Sequence, residues 1–272
     1  MLEKPWMIRL FADMKLRVMT FNLRFENDRD KENAWENRRE MIVRMIGRYA
    51  PDILGTQEGK QDQLLYLREN LPEYDAHIPD RPYDENAQCP TLFIRKQKFS
   101  IAGGRDFWLS KTPDVHLSKD WDSAFPRMLS YAMLQPAGDT DIQLFAAVTH
   151  LDHMGREARF RQAELIAQWV RDQEKPLMLM GDFNEEPDAD VYRLLTDPGT
   201  GLCDTWRARG CDEGPESFTH HAFTGFPKGG RIDWILTSPS FSVLDAQVVK
   251  YRENRYYPSD HFPYMADLEL CA

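Results

Sequence analysis

The sequence is poor in the residues that would tie it to a special environment. It has four cysteines in 272 residues, Cys89, Cys203, Cys211 and Cys271, with no CxxC pair and no zinc-ribbon spacing. That argues against a disulfide scaffold and for a reducing compartment. No apolar run approaches the ~20 residues of a membrane span, and the mean hydropathy is −0.59. The opening MLEKPWMIRLFADMK lacks the continuous apolar core of a secretory signal. Residues 1–14 therefore read as a short extension, with Met14 as an alternative start, and the cytoplasm is the expected location. There is no internal repeat, low-complexity tract or Gly/Ser linker, so residues 15–272 are expected to form one domain. Positive charge is short too: 34 Lys+Arg against 44 Asp+Glu leave a net charge of −10. Such a chain does not coat duplex DNA unless its cations gather on one face, which disfavours nucleic acid as a partner. No protein partner is legible.

What is present is a succession of short β-rich and amphipathic segments. KLRVMTFNL (15–23) reads as the first strand. A helix over 33–51 follows, with Asn33 and Glu36 as a capping box, Arg38, Ile42, Met45, Ile46 and Tyr49 on one face, and Pro51 as its stop. DILGTQ (52–57) is a buried strand and QDQLLYLRENLP (61–72) a second helix. Residues 91–151 read as antiparallel β, interrupted by a long aromatic loop over 107–127. A helix near 155–172, the strand PLMLMGDF (176–183), a helix near 188–195 and closing strands at 231–238, 241–251 and 262–270 complete an α/β pattern with mixed sheets.

The chemistry sits where these strands end. Apolar runs finish in Asn22, in Glu58, in His150 and Asp152, and in Asp182 and Asn184, while Asp260 and His261 precede the last strand. A single strand-end carboxylate is an ordinary solvated residue, but this many oxygen and imidazole groups at strand ends mark a site presented by a rigid scaffold.

In order along the chain, TFNLR (20–24), TQEG (56–59), THLDH (149–153), GDFNEEPD (181–188), RIDWIL (231–236) and SDHFP (259–263) resemble the endonuclease/exonuclease/phosphatase superfamily, whose fold is that of DNase I and exonuclease III, in its bacterial-type metal-dependent hydrolase branch. The resemblance spans about residues 15–270. It implies a four-layer α/β sandwich, two mixed β-sheets packed face to face with helices on the outside.

It also implies roles. Glu58 is the direct ligand of Mg²⁺ (or Mn²⁺), with Asn22 and Asp260 completing or hydrogen-bonding its shell; hard oxygen donors suit these ions better than zinc. Asp182 is the general base that activates water, Asn184 orients that water or the phosphoryl oxygens, and His150 and His261 donate to the transition state. Asp233, in an otherwise apolar strand, needs a partner, and the resemblance supplies His261. Where the DNA-repair branch carries an acid two places after the first Asn, this chain has Arg24, which binds phosphate or pairs with a carboxylate. Arg127 is a candidate phosphate contact, and Trp108, Trp121 and His116 are candidate pocket residues in the aromatic loop. His220 and His221 reach the rim or face solvent, and Asp152 and His153 are explained by a solvated strand end. HLDH lacks the HxHxDH spacing of a di-zinc site, and no GNH element follows GD.

The expected activity is metal-dependent hydrolysis of a phosphomonoester or phosphodiester of a small or medium phosphorylated molecule by in-line water attack. A DNA or RNA nuclease is the alternative, with GREARFR (155–161), Lys228 and Arg231 as its only basic candidates. A non-catalytic binding module of the same fold is the third reading.

Overall fold

The computed structural model describes residues 14–79, 81, 82, 84, 87–138 and 141–271. The expected extension over residues 1–13 lies outside them, whereas Met14, assigned to it from sequence, opens the first strand.

Two crossover units organise the chain. Strand β1 (Met14–Asn22) leads through helix α1 (Trp35–Tyr49) to β2 (Ile53–Gln57), which lies parallel to β1. In the same way β7 (Leu144–His150) leads through α3 (Arg156–Arg171) to the parallel β8 (Leu177–Asp182). Parallel neighbours require such crossovers, and the helices then cover the outer faces. Around these pairs, α2 (Gln61–Asn70), β3 (Tyr74–His77), β4 (Thr91–Arg95), β5 (Phe99–Trp108) and β6 (Met128–Pro136) precede β7. After β8 come α4 (Asp190–Leu195), β9 (Cys203–Asp204), α5 (Thr205–Ala208), β10 (Asp233–Thr237), β11 (Phe241–Val248) and β12 (Tyr264–Leu270). The strands form two six-stranded mixed sheets, in the orders β11-β12-β1-β2-β4-β3 and β5-β6-β7-β8-β10-β9.

The sheets pack face to face through an apolar layer in which Val18 and Ile53 meet Val148, Met178 and Met180. Ile42, Met45 and Leu67 of α1 and α2 cover the outer face of the first sheet against Met19 and Leu54. Ile166 and Val170 of α3 cover the second against Leu179 and Trp234. This is the four-layer α/β sandwich expected from the resemblance.

Three local readings change. The antiparallel run over 91–151 is divided: β4 pairs with β2 and β3, while β5, after the turn at 96–98, starts the other sheet. Each strand alternates as expected, and alternation does not say which sheet a strand joins. The capping box at Asn33 does not form. Asn33 ends a 3₁₀ helix (Asp28–Asn33), its carbonyl accepts from Arg38 Nε at 2.6 Å, and α1 starts after Ala34 without a side-chain cap. Asp233 is the first residue of β10 rather than an interior one. No described helix is long and apolar enough to cross a membrane.

Candidate active site

The carboxyl ends of β1, β2, β7 and β8 point the same way, and the strand-end residues meet there. Open α/β sheets present ligand groups at that end. Asn22 is fully buried at the end of β1. Its Oδ1 accepts from the Arg24 amide at 2.9 Å, which turns Nδ2 toward Glu58 Oε1 at 3.1 Å and Asp182 Oδ2 at 2.9 Å. Asn22 thus bridges two carboxylates. Glu58 follows β2 with a left-handed φ of 62°. It stays half-buried and accepts from the Phe25 amide through Oε2 at 3.1 Å.

Asp182 lies between two neighbours in register: His150 on the parallel β7 and Asp233 on the antiparallel β10. Its Oδ1 accepts from the Asn184 amide at 2.9 Å, and Oδ2 lies 3.4 Å from His150 Nε2 and 3.8 Å from His261 Nε2. Gly181 permits this approach of β7 and β8, since any Cβ there would collide with the Thr149 carbonyl. Burial first, and the Asp233 carboxylate second, push the Asp182 carboxyl up to about 7.

Asp233 and His261 form a buried pair, Nδ1 to Oδ2 at 2.9 Å. Burial alone would lower the imidazole, but Asp233, with Asp182 and Asp260 adding to it, raises it to about 10. His150 behaves oppositely. Burial, with Arg127 and His261 nearby, drives it well below its ordinary value. Asn184 Nδ2 donates to the Leu151 carbonyl at 3.0 Å and to His150 Nε2 at 2.9 Å, leaving the buried Nδ1 of His150 without a protein partner. Asp260 is buried, yet His261 and Arg24 hold its carboxyl below the usual range.

Arg24 adopts the second of its two expected roles, with bonds of 2.9 and 3.0 Å to Asp30 and a 3.7 Å approach to Asp260. Arg127 is buried beside Asp152 at 3.7 Å, touches His153 Nδ1 at 3.3 Å and has an Nε without a hydrogen bond. Trp108 and His116 meet edge to face at 5.6 Å, but they line a separate cavity next to the cluster. Trp121 is not part of that lining; the Lys111 ammonium lies 5.6 Å from its ring.

Asp152 is no solvated strand end. It is fully buried and accepts from Ser123 and from the amides of Ala124, Phe125, Met154 and Gly155, so it anchors the aromatic loop to the start of α3. His221 does not face solvent: it is buried and stacked on Phe262 at 4.0 Å. His220 reaches the rim, its ring 4.9 Å from that of His261.

Arg38 was legible only as a position on the buried stripe of α1. Its guanidinium donates to the carbonyls of Asn33, Leu23, Pro258 and Arg24, and so ties the segment after Asn22 to the one before Asp260. An arginine in an apolar stripe is the signal that marks it.

Two places offer oxygen donors to a cation. The first is the Glu58 carboxylate, beside Asn22, whose Nδ2 donates to it while Oδ1 is held by the Arg24 amide. Asp182, Asp233 and His261 place one donor atom each within 4.8 Å of one another. In the second set the Asp233–His261 bond already consumes two donors, although Asp233 Oδ1 is buried without a partner. The half-exposed Glu58 of the first set faces the cleft and fits Mg²⁺ or Mn²⁺ by donor chemistry.

The sandwich and its cleft of carboxylates and imidazoles define a class, and sequence comparison names it. The chain belongs to the Endonuclease/Exonuclease/phosphatase family, whose sequence model matches residues 19–261. A solved member of that family from Bacteroides thetaiotaomicron is 32% identical, with a TM-score of 0.86 over 96% of this chain and 100% of the other. A second protein from that organism, described as mannosyl-6-phosphatase Bt3783, is 33% identical, with a TM-score of 0.82 over 93% of this chain and 99% of the other. Among curated proteins, mouse Nocturnin is 24% identical over 87% of this chain. The chain spans less than two thirds of the length of the curated relatives that lead this comparison, 59% in the case of Nocturnin.

Proposed function

We propose that this chain hydrolyses a phosphoester of a small or medium molecule, with Mg²⁺ or Mn²⁺ held by Glu58 and Asp260. The observation that carries this reading is the suspension of Asp182 between Asn22 and Asn184, beside the Asp233–His261 pair. A bound divalent cation would supply charge neutralisation at the phosphoryl oxygens.

The chain's own groups do the rest. Asp182, with its carboxyl near 7, takes a proton from the attacking water at neutral pH. Its two bonds from Asn22 and Asn184 hold it in place without neutralising it. His261, kept charged by Asp233, offers Nε2–H to a phosphoryl oxygen as negative charge builds there. His150, neutral and fixed by Asn184, lies 3.4 Å from the same Asp182 Oδ2 that His261 approaches. Arg127 supplies a buried guanidinium whose Nε–H, without a hydrogen bond in the protein, can donate to a phosphoryl oxygen.

The relative described as a mannosyl-6-phosphatase supports a phosphomonoester among the small esters. The nuclease alternative is weakened by the state of its basic candidates. Arg231 is buried against Asp204 and Glu213, and Arg156, Arg159 and Arg161 pair with Asp190, Glu185 and Glu164. Release of inorganic phosphate or alcohol should be followed over sugar phosphates, p-nitrophenyl phosphate, its bis-ester, nucleotides and oligonucleotides, with Mg²⁺, Mn²⁺ or EDTA. Turnover of small esters that EDTA stops agrees with this reading. Turnover confined to oligonucleotides contradicts it in favour of a nuclease.

A further inference from the structure

Five large apolar side chains are exposed among the described residues, and their placement is uneven. Val115, Phe125, Met154 and Phe226 lie in loops, while Leu244 lies on the edge strand β11. The loops concerned all open at the cleft. The segment 109–127 joins the end of β5 to the start of β6, and β6 begins beside the end of β7. Met154 follows β7, which ends at His150, and Phe226 precedes β10, which begins opposite Asp182. A single exposed apolar residue needs no explanation. A set gathered round one opening marks a surface that binds something.

Two of these side chains are fixed side by side. The buried Asp152 carboxylate accepts from the Phe125 amide through Oδ2 at 3.2 Å and from the Met154 amide through Oδ1 at 2.9 Å. The Phe125 ring, 50% exposed, stacks on that of the exposed His153 at 5.7 Å, and Met154 is 71% exposed. Arg127 adjoins this ledge: its Nη2 lies 3.3 Å from His153 Nδ1 and its Cζ 5.9 Å from the centre of the Phe125 ring. A second bank is formed by the turn over 221–228, which the Lys228 amide closes by donating to the His220 carbonyl. Within it the Thr224 hydroxyl donates to the His221 carbonyl at 2.6 Å and accepts from the Phe226 amide at 3.2 Å. This turn presents Phe226, 77% exposed, and it starts next to His220, whose ring lies 4.9 Å from that of His261. Both banks are thus held in place before a ligand arrives, which lowers the ordering cost of binding.

We infer that this rim receives the leaving alcohol of the phosphoester, and that the alcohol carries a hydrocarbon group. The inference rests on the phosphoesterase reading above. A phosphoryl oxygen bonded to Arg127 Nε stands beside His153 and Phe125, so the first carbons of the ester come within reach of the ledge. Aromatic faces and a thioether gain from covering hydrocarbon and give a hydroxylated group few hydrogen bonds. A protein seated on both banks would instead close the cleft to the ester and to water. In the reaction the water oxygen bonds to phosphorus as the bond from phosphorus to the alcohol oxygen breaks. The proton lost by water passes to Asp182, and the departing oxygen takes one from solvent at the open rim.

The test compares kcat/KM along a series of monoalkyl phosphates from methyl to hexyl, at concentrations where each is monomeric in water. Every methylene that the rim covers favours binding, so the hexyl ester should exceed the methyl ester by about tenfold or more, through KM. Phe125→Ser and Phe226→Ser remove that cover and should each shrink the ratio by about threefold or more. Leu244→Ser, an equally exposed change on β11, should leave the ratio at its wild-type value. Met154→Ser gives the same reading if Phe125→Ser does not fold. A wild-type ratio near one overturns the assignment, as does a ratio that the rim variants leave unaltered. If the wild type hydrolyses no member of the series, the failure lies with the phosphoesterase reading, and the rim is judged by binding alone. Methylphosphonate and hexylphosphonate are then titrated with Mg²⁺ present, and the Met154 methyl resonance is followed by nuclear magnetic resonance. Tighter binding of hexylphosphonate with a shift at Met154 upholds the rim, and equal binding or no shift overturns it.

Discussion

His261 Nδ1 lies 2.9 Å from Asp233 Oδ2, and both side chains are buried at the edge of the cleft. This bond fixes the imidazole, directs its Nε2 toward Asp182 and keeps the ring charged. In the proposed reaction the pair sets the alkaline limit of the chemistry, while Asp182 sets the acid limit.

The pH profile of kcat/KM should accordingly rise through about 7, as Asp182 loses its proton, and fall through about 10, as His261 loses its own. Replacing Asp233 by Asn removes the anion that raises both groups. The two limbs should then move to lower pH, the alkaline one by at least a full unit. A pH–rate profile of Asp233→Asn checks this, and an alkaline limb that stays near 10 contradicts the role given to Asp233.

Arg38 satisfies four backbone carbonyls from inside α1. Arg38→Met keeps the volume and strips those acceptors of their donor, at about 1–3 kcal/mol for each that stays buried. We expect a loss of about 3 kcal/mol or more in urea unfolding, with kcat reduced because the Asn22 and Asp260 segments are no longer tied together. A loss below 1 kcal/mol would remove Arg38 from the framework of the site.

Much of this arrangement is legible in the sequence because strand ends are punctuated by chemistry. Asn22, Glu58, His150, Asp182 and His261 each close or follow an apolar run, and the structure brings them to one end of the sandwich. What is illegible depends on distant partners. Arg24 could be placed near the site, but not Asp30 as its partner. Asp152 reads as a strand end open to water, because nothing local shows that Ser123, Ala124 and Phe125 fold over it. The assignment of β4 to one sheet and β5 to the other rests on which strands lie alongside, and both read alike in isolation. The short β3, β9 and α5 are too brief to leave a periodic signal.

His221 provides a stability test independent of turnover. Its Nδ1 accepts from the Gly225 amide at 3.2 Å, its Nε2 is buried without a partner, and burial lowers the imidazole to about 4. An unfolded histidine titrates near 6.5, so between about 4 and 6.5 the unfolded chain binds the additional proton. The stabilisation is thus complete above about 6.5 and is lost as pH falls toward 4, by no more than about 3 kcal/mol. Urea unfolding across this range should be less pH-dependent in His221→Phe than in the wild type. Equal slopes would contradict the burial argument.

Removal of divalent ions by EDTA should abolish turnover, and Mg²⁺ or Mn²⁺ should restore it. Glu58→Gln should raise the concentration of metal that gives half-maximal activity by at least tenfold, and should weaken Mn²⁺ binding followed by electron paramagnetic resonance. Unaltered Mn²⁺ binding in that variant would move the cation to Asp182, Asp233 and His261, whose donor atoms lie within 4.8 Å of one another.

The most direct test of the account is the turnover of Asp182→Asn on a small phosphomonoester at saturating metal. Asn keeps the shape and loses the base, so kcat should fall by about 10²–10⁴, with the melting temperature and Mn²⁺ binding close to those of the wild type. A kcat within tenfold of the wild type would contradict the assignment of Asp182 as the group that activates water.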